Sequence, residues 1–140
     1  MKKKMIHMIV LAMACLFASC QDSSKLVISD LQCEYLDAPL AIDNTTPHFG
    51  WKMTCGQKGT SSSAYQLLVA SELDKLNEEE ADLWNSGKVS SDTSIGIAYG
   101  GKALNSRTQA YWKVRVWNQA DVPSEWSKPS SFGIGMLSEN

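Results

Sequence analysis

The sequence has 140 residues, which is room for one domain with one ordinary hydrophobic core. Hydrophobic residues make up 44% and charged residues 20%, a globular composition that excludes an intrinsically disordered chain. The first 19 residues hold three lysines and no acid, so the remainder carries 10 Lys and Arg against 15 Asp and Glu. This acidic balance argues against nucleic acid as a partner, because an acidic surface repels phosphate.

The N-terminus has the organisation of an export signal. Three lysines at positions 2–4 precede an apolar run at 8–18, which is too short to span a bilayer. The small residues before Cys20 resemble a bacterial lipobox, although Phe17 stands where Leu or Val is usual. The resemblance implies a lipoprotein signal peptide at 1–19 and lipidation of Cys20 as the first mature residue. An ordinary cleaved signal with an incidental cysteine is the alternative.

A polar tether follows the expected lipid. Residues 20–25 are mostly polar and would join the anchored Cys20 to the first apolar residues of the domain. The expected location is therefore the bacterial outer membrane, with the membrane as a partner through the lipid. No acidic cluster follows Cys20, so periplasmic and surface-facing placements both stay open.

Two cysteines and one histidine remain once the signal and the lipidated residue are set aside. Cys33 and Cys55 would lie in an oxidising compartment, where a disulfide is permitted. Both fall in strand-like segments, which favours two small buried hydrophobes, with the disulfide as the alternative. His48 has no partner at a spacing typical of metal ligands, so no metal and no cofactor is expected.

The first half of the domain has the period of two that is typical of strands. Leu31, Cys33 and Tyr35 predict a first strand, which the Pro-containing segment 37–39 ends. A turn cluster at 43–47 precedes a second strand, a Gly- and Ser-rich loop and a third strand with both faces covered. The second strand carries Phe49, Trp51 and Met53, the loop is 57–63, and the third strand is 64–70.

A short helix is predicted after the third strand. Ser71 and Asp74 have the spacing of a capping box, and Leu73, Leu76 and the acidic run 78–80 would extend it for one or two turns. The acids are expected to form its solvated face.

The last third carries the strongest strand pattern. A further strand at 94–99 and a Gly100-Gly101 hairpin-type turn precede it. Trp112, Val114 and Val116 lie on one face of the segment 110–117, opposite Tyr111, Lys113, Arg115 and Trp117. After a turn at 118–123, Trp126 and Phe132 indicate a final strand. About seven short strands and one short helix predict an all-β antiparallel sandwich over 26–137, followed by a tail at 138–140.

The motifs resemble a known family. Residues 112–118 and 124–127 resemble the end of a fibronectin type III or immunoglobulin-like domain. More narrowly, six segments resemble, in order, the N-terminal sandwich domain of bacterial α-L-rhamnosidases, the inverting glycoside hydrolases of family 78. They are Leu31-Gln-Cys-Glu-Tyr-Leu36, Pro39-Leu-Ala-Ile-Asp43, Pro47-His-Phe-Gly-Trp51, Ala64-Tyr-Gln-Leu-Leu-Val-Ala70, Asp82-Leu-Trp-Asn-Ser-Gly-Lys-Val89 and Tyr111-Trp-Lys-Val-Arg-Val-Trp117.

The resemblance implies a fold and a context, and it brings across no catalytic residue. In that family the catalytic carboxylates lie in a helical (α/α) barrel several domains further on, beyond Asn140 here. Asn85 stands where the family usually has aspartate, and Ala120-Asp121 replaces a glycine-bearing turn. Two hypotheses follow. The chain is either a truncated or split N-terminal module of an exported enzyme that removes terminal α-L-rhamnose from glycans, or a stand-alone lipid-anchored module that binds glycan or protein.

The residues themselves predict no catalytic set. An inverting glycosidase needs an acid and a base carboxyl about 6.5–9.5 Å apart, with the pKa of the acid raised. Most acids here fall in turns or on exposed strand faces, where nothing raises a pKa. Glu34 and Asp43 are expected to serve turn hydrogen bonding and register instead. Nucleophile triads are excluded because His48 is the single mature histidine.

The tryptophans supply the candidate binding residues. Trp51 and Trp112 lie on strand faces assigned to the core. Trp84, next to a turn, is predicted to be a core plug or a domain-interface anchor. Trp117 and Trp126 are predicted to be an exposed pair, either as a platform for sugar rings or as a docking surface for other domains.

Overall fold

A computed structural model describes residues 25–137 as two antiparallel sheets packed face to face, which confirms the predicted sandwich. The smaller sheet has the order β1-β2-β6, and the larger has the order β4-β3-β7-β8 with β5 also paired to β3. One 3-10 turn, Leu73–Lys75, lies among the loops. The strands are β1 Leu26–Cys33, β2 His48–Cys55, β3 Ser62–Ala70, β4 Trp84–Asn85, β5 Val89–Ser90, β6 Ile97–Ala98, β7 Gln109–Asn118 and β8 Ser130–Gly133.

The core lies between the sheets and is built from the alternating residues of β2, β3 and β7. Trp112, Val114 and Val116 are fully buried, as their alternation predicts, and Leu67 and Val69 of β3 face them from the neighbouring strand. Rings join the two sheets at the centre of the core, as the ring-centroid distances from Phe49 show: 4.5 Å to Trp112 and 5.6 Å to Phe132. Such tilted and edge-on ring pairs stabilise a core beyond their area alone.

The first strand differs from its prediction. It begins at Leu26 and ends at Cys33, and Tyr35 is 66% exposed. The reason is a tight turn in which Cys33 and Leu36 exchange backbone hydrogen bonds of 2.9 and 3.0 Å. Glu34 and Tyr35 between them have φ of 52° and 62°, the left-handed pair that a type I′ turn needs. Tyr35 therefore leaves the strand register and points to solvent.

The predicted short helix forms as the single 3-10 turn, and the predicted capping box is absent, since the turn has no side-chain cap. The Ser71 hydroxyl donates instead to Asp82 at 2.6 Å, and the backbone N–H of Ser71 donates to the same carboxylate at 2.9 Å. The Ser71 side chain is therefore bound to Asp82, eleven residues away, and is not available to cap a helix. No local sequence pattern predicts this contact.

Three further predicted elements are shorter or different. The strand expected over 94–99 is reduced to β6. Gly100-Gly101 is no hairpin: a Cβ on Gly101 would lie 2.3 Å from the Leu83 carbonyl oxygen, so glycine is needed for close chain approach. Trp126 lies before the final strand and not within it. Beside it, the hydroxyls of Ser124 and Ser127 accept hydrogen bonds from the N–H groups of Val116 and Val114 at 3.1 and 3.0 Å. These hydroxyls replace the carbonyls of a regular strand.

The cysteines form no disulfide within the described fold. The β1–β2 register places Cys33 opposite Phe49 and Cys55 opposite Leu26, six positions further along β2. That separation is roughly 20 Å, whereas a disulfide requires Cα atoms within about 7 Å. Burial raises the pKa of the Cys33 thiol to about 12, as expected of a small buried hydrophobe.

The sandwich has two ends, which we call upper and lower. At the upper end β1 and β3 finish and β2 and β7 begin, and a hydrogen bond from the Gly133 N–H to the Pro39 carbonyl joins β8 to the β1–β2 connection there. At the lower end lie the first residue of β1 and the last residues of β2 and β7. Residue 25 therefore enters at the lower end, and the last described residue, Leu137, leaves at the upper end. The predicted signal peptide, lipidated Cys20, nearly all of the tether and the tail lie outside the described residues.

Candidate docking surfaces

A carboxylate holds the connection between β1 and β2 together at the upper end. Glu34 accepts hydrogen bonds from the backbone N–H of His48 at 2.7 Å, from His48 Nδ1 at 3.0 Å and from Asn44 Nδ2 at 3.0 Å. Burial alone would raise the pKa of Glu34, but these hydrogen bonds outweigh it and hold the pKa below its ordinary value. The expected role of Glu34 in turn hydrogen bonding is confirmed.

A second carboxylate does the same for the loop after β3. Burial would raise the pKa of Asp82, but the two hydrogen bonds from Ser71 lower it by more. A general acid needs a raised pKa, and the pKa values of Glu34 and Asp82 are shifted the other way. Both residues therefore serve as loop anchors.

Five of the eleven remaining acids among the described residues pair with cations at the surface. Such exposed pairs add little stability. The other six acids are exposed to water, so they lack the apolar setting that a catalytic acid requires. Within residues 25–137, no group of three or more His, Cys, Asp or Glu could hold a metal ion, and no helix is long and apolar enough to cross a membrane. The ion pairs are Lys25–Glu125, Lys52–Asp30, Lys75–Glu72, Lys88–Asp121 and Arg115–Glu78.

Trp84 plugs the upper part of the core. Its ring lies 6.4 Å from Phe49 and 5.4 Å from Tyr99, measured between centroids, and it is half-buried against the main core. Gly100 and Gly101 run close beside it, with a Cβ on Gly101 falling 2.5 Å from that of Trp84. Of the two roles predicted for Trp84, these contacts favour the core plug.

Trp117 and Trp126 lie in a stack of rings and cations on the outer face of the larger sheet. Arg115 is shared between them, with its guanidinium carbon 4.9 Å from the Trp117 centroid and 4.6 Å from that of Trp126. Lys88 lies over Trp117 at 4.9 Å, and Lys113 lies over Trp126 at 5.0 Å. This geometry is favourable because the ring faces are electron-rich.

The stack corrects the expected exposure of Trp117. Only 8% of Trp117 is accessible, because the side chains of Lys88 and Arg115 cover it, and Trp126 is half-buried. A pyranose needs an open ring face, and Trp117 offers none. Arg115 is itself fixed by Glu78 at 2.7 Å and Gln66 at 3.1 Å, so the stack is satisfied from within. A ligand or docking role for these tryptophans stays a prediction.

The upper end instead exposes apolar side chains that the sequence did not predict to be binding residues. Leu40 is 85% exposed, Met136 76% and Leu73 55%, and Tyr35 and Leu36 are exposed at the same end. These residues lie in loops, so no periodic pattern marks them. At the lower end, Val122 is the large apolar side chain that the loops expose among the described residues.

Leu40, Leu73 and Met136 with half-buried Tyr111 form what we call the exit surface. Leu73 and Tyr111 line two adjoining shallow grooves, one with Ala38 and the other with Gln109. The second groove leads to Leu40, because Gln109 and the Leu40 backbone both lie against Gly133. Met136 follows Gly135, which lies beside Ala41. The exit surface therefore surrounds the point where the chain leaves the domain.

A different groove separates the free edges of β1 and β8. Asp30, Lys52 and Lys128 line it together with Asp37 and Pro129. A bulge interrupts β1 at Asp30, where φ is 50°. Bulges, prolines and charges are the usual protection of a sheet edge against added strands, so this groove is not favoured as a docking site.

Comparison with known proteins places these surfaces in context. Residues 28–138 match the family of the Rha78A-like, N-terminal immunoglobulin domain. An α-L-rhamnosidase of Formosa agariphila is 42% identical over 99% of this chain and 15% of its own length. One of Streptomyces avermitilis is 40% identical over 81% of this chain and 11% of its own.

Solved structures give the same result. The α-L-rhamnosidase of Dictyoglumus thermophilum superposes with a TM-score of 0.78 and 36% identity, covering 84% of this chain and 13% of that one. The Streptomyces avermitilis α-L-rhamnosidase complexed with L-rhamnose gives 0.75 and 40%, over 79% of this chain and 10% of that one. The chain thus spans about a tenth to a seventh of the length of these relatives.

Proposed function

Since the chain belongs to the family of Rha78A-like N-terminal immunoglobulin domains, we propose that it is the non-catalytic N-terminal module of an exported α-L-rhamnosidase. Its role is architectural: it packs against the catalytic (α/α) barrel and the other domains of the parent enzyme. The parent enzyme, in this proposal, hydrolyses terminal α-L-rhamnose from glycans, and the present chain is a truncated or split part of it.

One observation carries the proposal. The chain aligns along most of its length with proteins named α-L-rhamnosidase, yet it covers only 11–15% of the relatives to which it is most fully aligned. The hydrolytic machinery therefore has ample room elsewhere in such a polypeptide. The lowered pKa values of Glu34 and Asp82 and the covered face of Trp117 agree with a module that does no chemistry.

The proposal is tested by activity in two settings. The purified 140-residue chain should hydrolyse no aryl α-L-rhamnoside, and measurable turnover would contradict it. In the second setting, residues 25–137 replace the matching segment of the Formosa agariphila enzyme. Deletion of that segment should abolish soluble, active enzyme, and the chimera should regain it. A chimera no better than the deletion would count against an architectural role.

The alternative of a stand-alone glycan-binding module has its own readout. Titration of the chain with rhamnose oligosaccharides would quench tryptophan fluorescence in a saturable way if a ring stacks on Trp126 or another exposed face. The proposed module should give no saturable change. Reading the gene past codon 140 adds a second check, because an in-frame or singly frameshifted rhamnosidase barrel is expected there, and an unrelated gene after a well-formed stop would favour the stand-alone module.

The N-terminus suggests where the enzyme acts. We propose that residues 1–19 direct export, that Cys20 is lipidated, and that the tether at 20–25 holds the lower end of the sandwich near the bacterial outer membrane. Expressed in a bacterium, the chain should partition into the membrane fraction and incorporate labelled fatty acid. Cys20→Ala should abolish both, and Cys33→Ala should change neither. Fatty-acid label retained by the Cys20 variant would overturn the assignment.

A further inference from the structure

We propose that the exit surface, formed by Leu40, Leu73, Tyr111 and Met136, is the docking surface for the domain that follows this one in the parent enzyme. The proposal rests on the proposed function. It commits to a partner with an apolar centre and with basic groups on the side that meets Leu73. This placement differs from the one expected from the sequence, which put the docking aromatics on the outer sheet face.

Hydrogen bonds fix the position at which the chain leaves the domain. After β8, backbone hydrogen bonds hold Ile134 to Thr108 and Gly135 to Ile42, both at 2.8 Å. Leu137 then donates its N–H to the Ser106 hydroxyl at 3.0 Å. These contacts hold the chain against the domain as far as Leu137, its last described residue. The chain therefore leaves the domain beside Leu40 and Met136. A domain joined at this point has a high effective concentration at the exit surface.

The exit surface leaves a large amount of apolar side chain exposed to water. Leu40 and Met136 are 85% and 76% exposed, and Leu73 is 55% exposed. Covering such side chains stabilises a complex, because it removes apolar surface from water. Clustered exposed apolar residues typically mark interfaces, whereas single ones are common anywhere. Here the cluster surrounds the exit, which selects the next domain as its occupant.

Charged side chains border the exit surface. Asp37, Glu72 and Asp74 line the grooves that contain Leu73 and Tyr111. Lys75 pairs with Glu72 at 2.5 Å, which leaves Asp37 and Asp74 as the acids of this rim without a described cationic partner. Interfaces have an apolar centre and a polar rim, and complementary charge sets their orientation. The acids beside Leu73 therefore fit Lys or Arg on the partner, whereas Arg107, which donates to Met136 Sδ at 3.4 Å, makes the rim basic on the Met136 side.

The test uses the chimera with the Formosa agariphila enzyme described above. The double variant Leu40→Ser/Leu73→Ser alters the exit surface, and Val27→Ser/Val122→Ser is the matched control, since those two valines are 60% and 44% exposed away from it. In the isolated chain, both variants should unfold at the same urea concentration as the original. In the chimera, the exit variant should be cleaved by trypsin at the domain junction at least about tenfold faster, as expected from losing about 1.4 kcal/mol of docking energy, while the control should match the unmodified chimera.

Each remaining outcome decides against a specific part of the account. Equal cleavage of the exit variant and the control in a folded, active chimera would overturn the docking surface and leave the proposed function standing. A chimera that fails to fold although the isolated chain is folded would overturn both. A concentration-dependent dimer of the 140-residue chain, lost in Leu40→Ser/Leu73→Ser but kept in the control, would assign the exit surface to a second copy and contradict the proposal.

Discussion

The two ends of the sandwich are closed in different ways. At the upper end, the Glu34 carboxylate holds the β1–β2 connection together through His48 and Asn44, and the loops of this end present apolar side chains such as Leu40 to solvent. At the lower end, the exposed side chains are mainly polar, and they form the ion pair Lys25–Glu125 at 2.7 Å and similar surface pairs. The lower end is thus suited to water as it stands, whereas the upper end has the composition of an interface.

The contacts that stabilise this domain and the groups that a partner could reach lie in different places. Interactions that hold the fold lie under the surface at both ends, in the ring cluster around Trp84 and in the cation stack around Trp117. Interactions available to a partner lie mainly at the upper end. Substitutions of buried groups at the two ends should therefore lower the free energy of unfolding by different amounts.

The largest effect is expected from Trp84, and Trp117 provides the contrast at the other end. Trp84→Ala would leave a cavity between Phe49 and Tyr99 and should lower the free energy of unfolding by about 3–5 kcal/mol. Trp117→Ala at the lower end should lower it by only about 1–2 kcal/mol, because the flexible Lys88 and Arg115 side chains can collapse onto the gap. Urea unfolding of residues 25–137 measures both. Equal losses would show that the outer stack packs as tightly as the core.

Two glycines give the next contrast. Gly101→Ala at the upper end would place a Cβ 2.3 Å from a backbone oxygen and should destabilise the domain by about 3 kcal/mol. Gly59→Ala, in the loop of the lower end, meets open space and loses only the ease of a φ of +81°, which costs about 1 kcal/mol. Thermal unfolding should therefore rank the Gly101 variant well below the Gly59 variant, and the reverse order would contradict the packing described for Trp84.

A hydroxyl at the lower end gives a smaller expected effect. Ser124 is buried and accepts the N–H of Val116 at 3.1 Å, so Ser124→Ala leaves that buried donor without its partner. The expected loss of unfolding free energy is about 1–2 kcal/mol. Ser124→Thr keeps the hydroxyl and serves as the control. Hydrogen exchange at the Val116 amide should accelerate in the alanine variant, and unchanged exchange would argue that a neighbouring group replaces the hydroxyl.

The smallest effect concerns the carboxylate of the upper end and depends on pH. The pKa of Glu34 is lowered in the folded state, so its stabilisation is present above the ordinary value of 4.5 and is lost as the pH falls through the lowered folded value. Glu34→Gln should cost about 1 kcal/mol at neutral pH. It should also flatten the decline in stability below pH 4.5. A Glu34→Gln variant with the unchanged acid decline would place the responsible carboxyl elsewhere.

How far the sequence predicts this fold depends on how local each element is. Alternation alone identifies β2, β3 and β7, because each is long enough to show its period and is buried along one face or both. The two-residue strands β4, β5 and β6 have no period of their own, and they exist because β3 or β2 lies beside them. The type I′ turn at Glu34 and Tyr35 lacks the Asn or Gly that usually announces it.

The candidate surfaces are harder to predict for the same reason. Trp117 alternates onto the outer face as expected, but Lys88, which covers it, lies 29 positions away in the sequence. Leu40, Leu73 and Met136 come from three separate loops, and only the folded arrangement brings them to one end. The position of most acids in turns and on exposed strand faces could be read from the sequence, whereas the grouping of three loops into the exit surface could not.

The most direct test of the account compares hydrogen exchange of this domain alone with that of the same domain inside the active chimera. If the upper end is an interface, the amides of residues 35–41, 72–75 and 134–137 should gain protection in the chimera, while those of 56–61 and 119–123 at the lower end should exchange at the same rate in both. Protection gained at the lower end alone, or at neither end, would contradict the account.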